Sequence, residues 1–582
     1  MTNNRLIVYQ DFVTRGGSSS YPKDLTAVLV DRDGTAVEFG FKARKRWQAA
    51  DARGNPDRLG YATRFKMALR SDAPQTDVTR FHGSLSRPDR RTVKKLISDC
   101  LGKLYRTALE EIDATSFRGI GFTEDDIRWC VTVPAIWRDA EKQAMRDAAA
   151  EASMPSSEER LLLVSEPEAA AIYCALTPGT LLGPTRPEGR LDVETAGSRF
   201  MVVDCGGGTV DITSYQIRTD GLETNRLAEV GIPDGGPLGS AYINQHFVER
   251  VLADRFGVEQ LKALTVSHSR EIALLEDRWE EQKTGLHSET TPDGTPVFTG
   301  SCDIEVPGRL WEALAESTRE RLTEEAFDDP YHLVLTPEEV TDLHESVVGR
   351  VLETIERQRR SVIDHGTGNG VDQILVVGGF ARSTYLRDRI AQRFGGEVEV
   401  LIPQDPAVAV LGGAVHFAYD PSVIWERRSK YTYGYGCSMP FREGVDPEVR
   451  SFTDSEGDVM CNNRFSIMVR RGAPVPVDRV VARSIGIPGV VAGAGTVGIP
   501  LFATFSDDPQ YDDEAGVELV GTVSADVSGS ENLRSSEHRL DIYFAFGGSE
   551  IAVETRDRVS GARRNATITF TELYGRHGKA GN

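Results

Sequence analysis

Hydrophobic and polar positions follow two rhythms along this chain, and the change of rhythm divides it into three blocks. In the first block, short apolar runs alternate with stretches of helical spacing. Leu25-Thr-Ala-Val-Leu-Val30, a turn at 31–35 and Ala36-Val-Glu-Phe39 predict a hairpin. Residues 91–109 carry apolar side chains at helical spacing, 129–133 reads as a buried strand ending at Pro134, and 139–151 as an alanine-rich helix. Leu161-Leu-Leu-Val164 is another strand, and a helix begins at Glu166. The pattern starts again at 199, with a strand, a glycine turn and a second strand. Helices follow at 241–255, near 266–287 and near 337–364, then a strand at 373–377, a helix at 383–394 and a small-residue helix within 403–415. Two successive runs of alternating strands and helices predict two α/β lobes with a cleft between them. Beyond Ser429, period-two alternation and turn residues continue to 570, which predicts a meander of short strands with no substantial helix after it.

Composition narrows the class. The 582 residues exceed what one core holds, and 40% hydrophobic with 27% charged residues is ordinary for a soluble protein. A net charge of −21 argues against a nucleic-acid surface. Seven scattered cysteines without a C-x-x-C pair, and an N-terminus without a signal-like apolar run, lead to the expectation of a cytoplasmic protein. The apolar stretch 485–505 contains glycines and prolines, so strands with turns are expected there rather than a membrane helix.

The chemistry concentrates in Asp204-Cys-Gly-Gly-Gly-Thr-Val-Asp211, between two strand-like runs. Glycines at a hairpin tip expose consecutive backbone N–H groups, a cradle for phosphate. Thr209 adds a hydroxyl and Asp204 a carboxylate able to hold Mg²⁺ through water. A strand follows the glycines, so this is neither a Walker loop nor a dinucleotide fingerprint. Taken alone, the string fits a ligand-free glycine hairpin equally well.

Five strings then fall in one order: Val131-Thr-Val-Pro-Ala135, Ser165-Glu-Pro-Glu-Ala-Ala-Ala171, Asp204 to Asp211, Leu375-Val-Val-Gly-Gly-Phe-Ala-Arg382 and Asp405-Pro-Ala-Val-Ala409. Together they resemble the nucleotide-binding domain of the 70-kDa heat-shock chaperones, within the actin-like ATPase superfamily. Gly17-Ser-Ser-Ser-Tyr-Pro22 and the aromatic-rich C-terminal part are similar to the divergent family-12 branch. The resemblance implies a two-lobed actin-like fold with ribonuclease H-like lobes, the first at 1–198 and the second at 199–420, followed by a mainly-β domain at 421–582.

It also implies roles. Gly206, Gly207, Gly208 and Thr209 would hold the β- and γ-phosphates of ATP or ADP. Asp204 would orient Mg²⁺ waters, and Glu166 would lie near the metal and the attacking water. Gly378, Gly379 and Arg382 would line the adenosine, with Asp405 on the ribose side. Glu280 and Lys283 match positions that hydrogen-bond ribose and adenine, although a charged helix such as 271–283 is by default a set of solvated ion pairs. The family's lysine at the phosphates is matched by Arg44, in Gly40-Phe-Lys-Ala-Arg44. Arginine keeps the charge but not the geometry. Protein or peptide clients would bind through the C-terminal β domain.

Three departures temper these implications. Nothing matches the family's first phosphate hairpin, Asp-x-Gly-Thr-Thr/Ser, so the first lobe reads as N-terminally truncated, either by a mis-set start or in a true pseudo-ATPase. Negligible hydrolysis is therefore expected. The junction Asp420 to Lys430 is unlike the family's acidic, leucine-rich linker, and no helical lid follows the last strand. Two alternatives to an ATP-binding chaperone remain: a pseudo-ATPase scaffold that grips a protein partner, and a sugar-kinase-like enzyme of the same superfamily.

Overall fold

A computed structural model describes residues 23–570, apart from 52–54, 56, 71–79, 86–89, 116–122, 178–180, 183–190, 220–224, 367–369, 455–456, 487–495, 527–538, 559–560, 562 and 566. The chain is mixed α/β. In its N-terminal part β1 (Ala27–Val30), β2 (Ala36–Phe39), β3 (Gly60–Thr63) and β4 (Arg80–Gly83) form an antiparallel sheet in the order β2-β1-β3-β4. Helix α1 (Gly40–Asp51) packs on β1, whose four side chains are all buried. A 3-10 turn at Phe65–Leu69 buries Phe65, Met67 and Leu69, which holds Lys66 between two anchors.

After α2 (Arg90–Thr115), a parallel pair is made by β5 (Trp129–Val133) and β6 (Leu161–Ser165), with α3 (Asp139–Glu151) between them in sequence. Strand β6 runs without a loop into α4 (Glu166–Leu176). Pro167 in the first turn forfeits no helical hydrogen bond, and Glu166 and Glu168 there suit the positive end of the helix. The N-terminal segment 1–22, which carries the glycine–serine string at 17–22, lies outside the described residues.

The second α/β part is built on one large mixed sheet. Its strands are β7 (Leu181–Leu182), β8 (Arg199–Cys205), β9 (Val210–Thr219), β10 (Asn225–Glu229) and β11 (Asp234–Gly236), later joined by β16 and β17. Helix α5 (Ala241–His246) continues through a π-turn at Phe247–Leu252 into α6 (Ala253–Phe256), then α7 (Val258–Ser267) and α8 (Ser269–Gly285). Two small ribbons follow, β12 (Glu289–Thr290) with β13 (Pro296–Val297), and β14 (Cys302–Glu305) with β15 (His332–Leu335). Helices α9 (Gly308–Ala313) and α10 (Glu316–Glu325) separate the strands of the second ribbon. Then come α11 (Pro337–His365), β16 (Gln373–Val377), α12 (Thr384–Phe394), β17 (Glu399–Pro403) and α13 (Ala409–Tyr419).

Strand β8 is the axis, antiparallel to β9, parallel to β16 and buried along all seven residues. Its alternate residues enter separate cores. Met201, Val203 and Cys205 pack with α5, α8, α11 and α12, whereas Phe200 and Val202 pack with α4 and α13. Two-sided burial explains the near-continuous apolar run in the sequence. Cys205 is a core residue, and none of the seven cysteines is disulfide-bonded.

From Ile424 to 570 the described residues contain no α-helix. β18 (Ile424–Arg428) pairs in parallel with β10, and β22 (Pro474–Pro476) pairs with β18, so the large sheet runs β22-β18-β10-β9-β8-β16-β17-β7. The junction, unlike a leucine-rich linker by sequence, is nonetheless a strand of this sheet. The remaining strands make two facing sheets. One runs β20 (Ser451–Thr453), β21 (Val459–Val469), β19 (Thr432–Pro440), β24 (Thr496–Thr504), β25 (Val517–Asp526) and β29 (Thr567–Phe570). The other runs β23 (Val480–Gly486), β26 (Arg539–Ala545), β27 (Ala552–Asp557) and β28 (Arg563–Asn565). Tyr433, Leu501 and Val523 from the first meet Leu540, Ile542 and Phe544 from the second in one core. Among the described residues no helix is long and apolar enough to cross a membrane.

Candidate functional site

The glycine turn joins β8 to β9, with Asp204 paired opposite Asp211 at its base. Gly206 N donates to Thr209 O at 2.9 Å and closes the turn. Helix α5 begins directly against it: Ser240 N donates to Gly206 O at 3.2 Å and Ala241 N to Gly207 O at 2.9 Å. A Cβ on Gly239 would come within 2.6 Å of Gly208 N, so this approach requires a glycine. The turn's carbonyls thus face α5. Among the described residues no acceptor reaches the amides of Gly207 and Gly208, and a Cβ on Gly207 would meet open space. The Thr209 hydroxyl lies against Asp211.

Carboxylates crowd one side of this turn. Asp204 is 5% exposed and Asp211 1% exposed. Burial pushes Asp204 up to about 8, and the nearby Glu166 and Asp211 charges push the same way against Lys23 and Lys66. Burial and Glu166 also raise Asp211, to about 6, although Ile136 N donates to its Oδ1 at 2.9 Å. Its other oxygen is buried without a partner. The cation at Glu166 is Lys66, whose ammonium pairs with Oε1 and stands 5.6 Å from the Trp137 ring centre. The same 3-10 turn brings Met67 Cγ within 3.6 Å of where a Cβ on Gly208 would lie. Like charges gathered in a buried place suit a cation held through water. Among the described residues no cluster of three or more His, Cys, Asp and Glu side chains is arranged to ligate a metal directly.

A pH effect follows from Asp204. An acid whose folded pKa is raised costs stability progressively as pH climbs from its unfolded value toward the folded one. The ligand-free chain is therefore expected to lose melting temperature between about pH 4 and about pH 8, and Asp204→Asn is expected to flatten that slope. A wild-type slope unchanged in the Asn variant would remove Asp204 as its source.

The expected adenosine side is also assembled around β8. Gly378, at φ +90°, lies so close to Asp204 and Cys205 that a Cβ would overlap the Cys205 carbonyl, and its N donates to Pro406 O at 2.9 Å. Gly379 faces open space. Arg382 pairs with Asp405 at 3.0 Å, both half exposed. Glu280 and Lys283 are not solvated ion pairs. Lys283 is buried, bonding Glu280 at 2.7 Å, Asn244 Oδ1 at 2.8 Å and Ser240 O at 3.1 Å, so it braces α8 against the start of α5. Burial opposes ionisation of Glu280, but Lys283 and Asn244 hold its carboxyl down at about 2.

Arg44 is the cation that the resemblance places at the phosphates. Arg44, on α1, forms an ion pair with Asp277 on α8, and Gln48 Nε2 from the same helix donates to Asp277 Oδ2 at 3.3 Å. This pair ties the N-terminal sheet to α8, while Lys66 occupies the place at Glu166. Sequence reading missed Lys66, whose one signal was a lone cation between the apolar residues Phe65 and Met67. Pro134 follows the last residue of β5, as a strand terminator would, and the residues after it bring Ile136 N to Asp211 and Trp137 to Lys66.

No protein-family model matches the chain. Over 95% of its length it is 26% identical to heat shock 70 kDa protein 12A of Mus musculus, covering 86% of that protein. It is 27% identical to heat shock 70 kDa protein 12B of Homo sapiens, again over 95% of the chain and 85% of the relative. Chaperone protein DnaK 3 of a Synechococcus species is 26% identical over 52% of the chain and 39% of its own length. Similarity spanning both α/β parts and continuing into the C-terminal strands supports a 70-kDa heat-shock-family, family-12-like assignment.

Proposed function

We propose that this chain binds ATP or ADP with Mg²⁺ between its two α/β parts and uses its C-terminal strands to hold a protein segment. The observation that carries the nucleotide reading is the glycine turn: two amides without acceptors, beside an ammonium and above crowded carboxylates. The amides and Lys66 suit phosphate oxygens, and Asp204 with Glu166 would orient the water shell of a divalent cation, which would neutralise phosphate charge. Gly378, Gly379, Arg382 and Asp405 would border the nucleoside. Hydrolysis is expected to be weak, because the ion pair with Lys66 holds Glu166 away from an attacking water.

The partner reading rests on the segment 441–459 between β19 and β21. Val449 is 89% exposed there, and Val445, Phe452 and Val459 are exposed beside it. Asp446 anchors the segment by bonding Arg442 at 2.9 Å and Tyr511 Oη at 2.8 Å and by pairing with Arg464. Apolar side chains on a fixed base suit an extended apolar segment of another protein.

Thermal unfolding with ATP, ADP and Mg²⁺, alone and combined, tests the first half. A ligand at a hundred times its dissociation constant stabilises by about 2.7 kcal/mol. No shift at millimolar nucleotide with Mg²⁺ would disprove nucleotide binding, while a shift with turnover at chaperone rates would disprove weak hydrolysis. Light scattering of an aggregating polypeptide tests the second half, with suppression expected from the wild type and lost in Val449→Asp.

A further inference from the structure

A cavity of about 100 Å³ is bordered by the segment after β5, by β9 and by β18 with the residues that follow it. Its lining includes none of residues 204–211, nor Lys66 or Glu166. Most of the charges around it are already answered. Arg427 on β18 forks onto Glu168, its Nε donating to Oε2 at 2.9 Å and its Nη2 to Oε1 at 2.7 Å. Arg428 N donates to Glu229 Oε2 at 2.6 Å, and Arg146 Nε donates to Glu550 Oε1 at 2.9 Å. Asp139 Oδ2 accepts from Tyr433 Oη at 2.8 Å, and its Oδ1 stands 3.8 Å from the Lys142 ammonium. That ammonium donates to Ser549 O at 2.7 Å.

Three donors on the same lining are left over. The partly buried Lys430 donates to the Ala135 carbonyl, and among the described residues no carboxylate lies within ion-pair distance of it. The Trp137 indole N–H and the Thr213 hydroxyl, on residues each 1% exposed, have no hydrogen-bond partner among the described residues. An ammonium and an indole N–H donate without accepting, and a hydroxyl donates as readily as it accepts. Water in a polar cavity satisfies such groups as donors, but it brings no counter-charge. Lys430 lacks one: burial and the Lys142 ammonium pull it down to about 8, while Glu229, Asp211 and Asp139 act on it only from beyond ion-pair distance.

We propose that this cavity is a second anion site, separate from the glycine turn, and that it takes one small oxyanion of the phosphate or carboxylate class. Lys430 supplies the charge, and Trp137 Nε1 and Thr213 Oγ1 supply directed donors. An oxyanion brings both things the lining lacks, a negative charge and several acceptor oxygens. The acids of the lining do not forbid it. Glu168 and Glu550 face guanidinium groups of their own, and burial raises Glu229 to about 7, which removes much of its charge at neutral pH. Size sets the ligand's limit. The volume exceeds the roughly 10–15 Å³ that one water needs and falls below the roughly 150 Å³ of a cavity that admits benzene, so the ion has only a few heavy atoms.

The test uses the full chain, purified without phosphate, sulfate or carboxylate buffers and titrated calorimetrically with inorganic phosphate, acetate and chloride. Saturable binding of phosphate or acetate at millimolar concentration is expected, and the ion that binds names the class. Binding of neither, or of chloride equally well, overturns the proposal. Lys430→Met is expected to weaken the oxyanion by roughly tenfold or more, and the isosteric Thr213→Val by about threefold, while Lys66→Met at the glycine turn leaves it unchanged. The reverse pattern puts the ion on the glycine turn and overturns the proposal. Should the variants fail to fold, crystals of the wild type soaked with the ion that bound decide. Density beside Lys430 Nζ is expected, and density only at Gly207 and Gly208 overturns the site. Nucleotide binding is judged separately, by the thermal shifts with ATP and ADP, so either reading can fail alone.

Discussion

Gly413→Ala is expected to lower the melting temperature by roughly 5 °C. Gly413 lies in α13 where that helix crosses α4, and an added Cβ would overlap the Ala169 carbonyl oxygen. The obstacle is helical backbone, which has no rotamer to yield. Parting the two helices also disturbs the core that α4, α13, Phe200 and Val202 share. Overpacking of this kind costs typically 1–3 kcal/mol and occasionally more, and for a body of this size each kcal/mol is worth about 2 °C or less. Gly349→Ala is the control. It also sits inside a helix, α11, but its Cβ would meet only the flexible Glu345 Oε1, at 3.4 Å. That change is expected to stabilise by about 0.5–1 kcal/mol. Calorimetry of both variants checks the pair, and equal melting temperatures would show that the crossing tolerates a methyl.

Lys66→Met is expected to weaken Mg-ATP binding by roughly ten- to a hundredfold, while Arg44→Met leaves the phosphate contacts intact. A hydrogen bond to a charged group contributes about 1.5–3 kcal/mol, and each 1.4 kcal/mol is tenfold in affinity. Without the ammonium, the Glu166 charge stands uncompensated and repels an incoming phosphate. Arg44 acts elsewhere. Its bond to Asp277 ties α1 to α8, so losing it is expected to quicken nucleotide dissociation by loosening that closure. Calorimetric titration gives the affinity and stopped-flow the dissociation rate. Undiminished affinity in Lys66→Met would take the lysine out of the site.

Much of the architecture was legible because it depends on local pattern. The two-sided apolar run at 199–205, the helical spacing of 337–364 and the alternation after 430 each report a strand or helix through its own burial. The glycine turn was equally legible, since the strand-like runs on either side of it are local pattern, whereas the close approach of α5 rests on Gly239 outside the turn. What escaped reading was partnership. Arg44 and Lys66 are both cations in short amphipathic stretches, and nothing local says that one faces Asp277 and the other Glu166. Likewise the charged run 271–283 looked solvated, yet Lys283 is enclosed because α5 folds over it.

By itself, the order of residues determined which segments are strands and helices, the glycine tip with its flanking aspartates, and the resemblance to the wider family. These follow from backbone sterics and from burial periodicity, which act over a few neighbouring residues. Tertiary structure alone decided which charges meet: Lys66 with Glu166, Arg44 with Asp277, and Arg427 with Glu168 across 259 positions. An enclosed charge takes its partner from whatever the fold brings within hydrogen-bond reach, and distance along the chain carries no record of that.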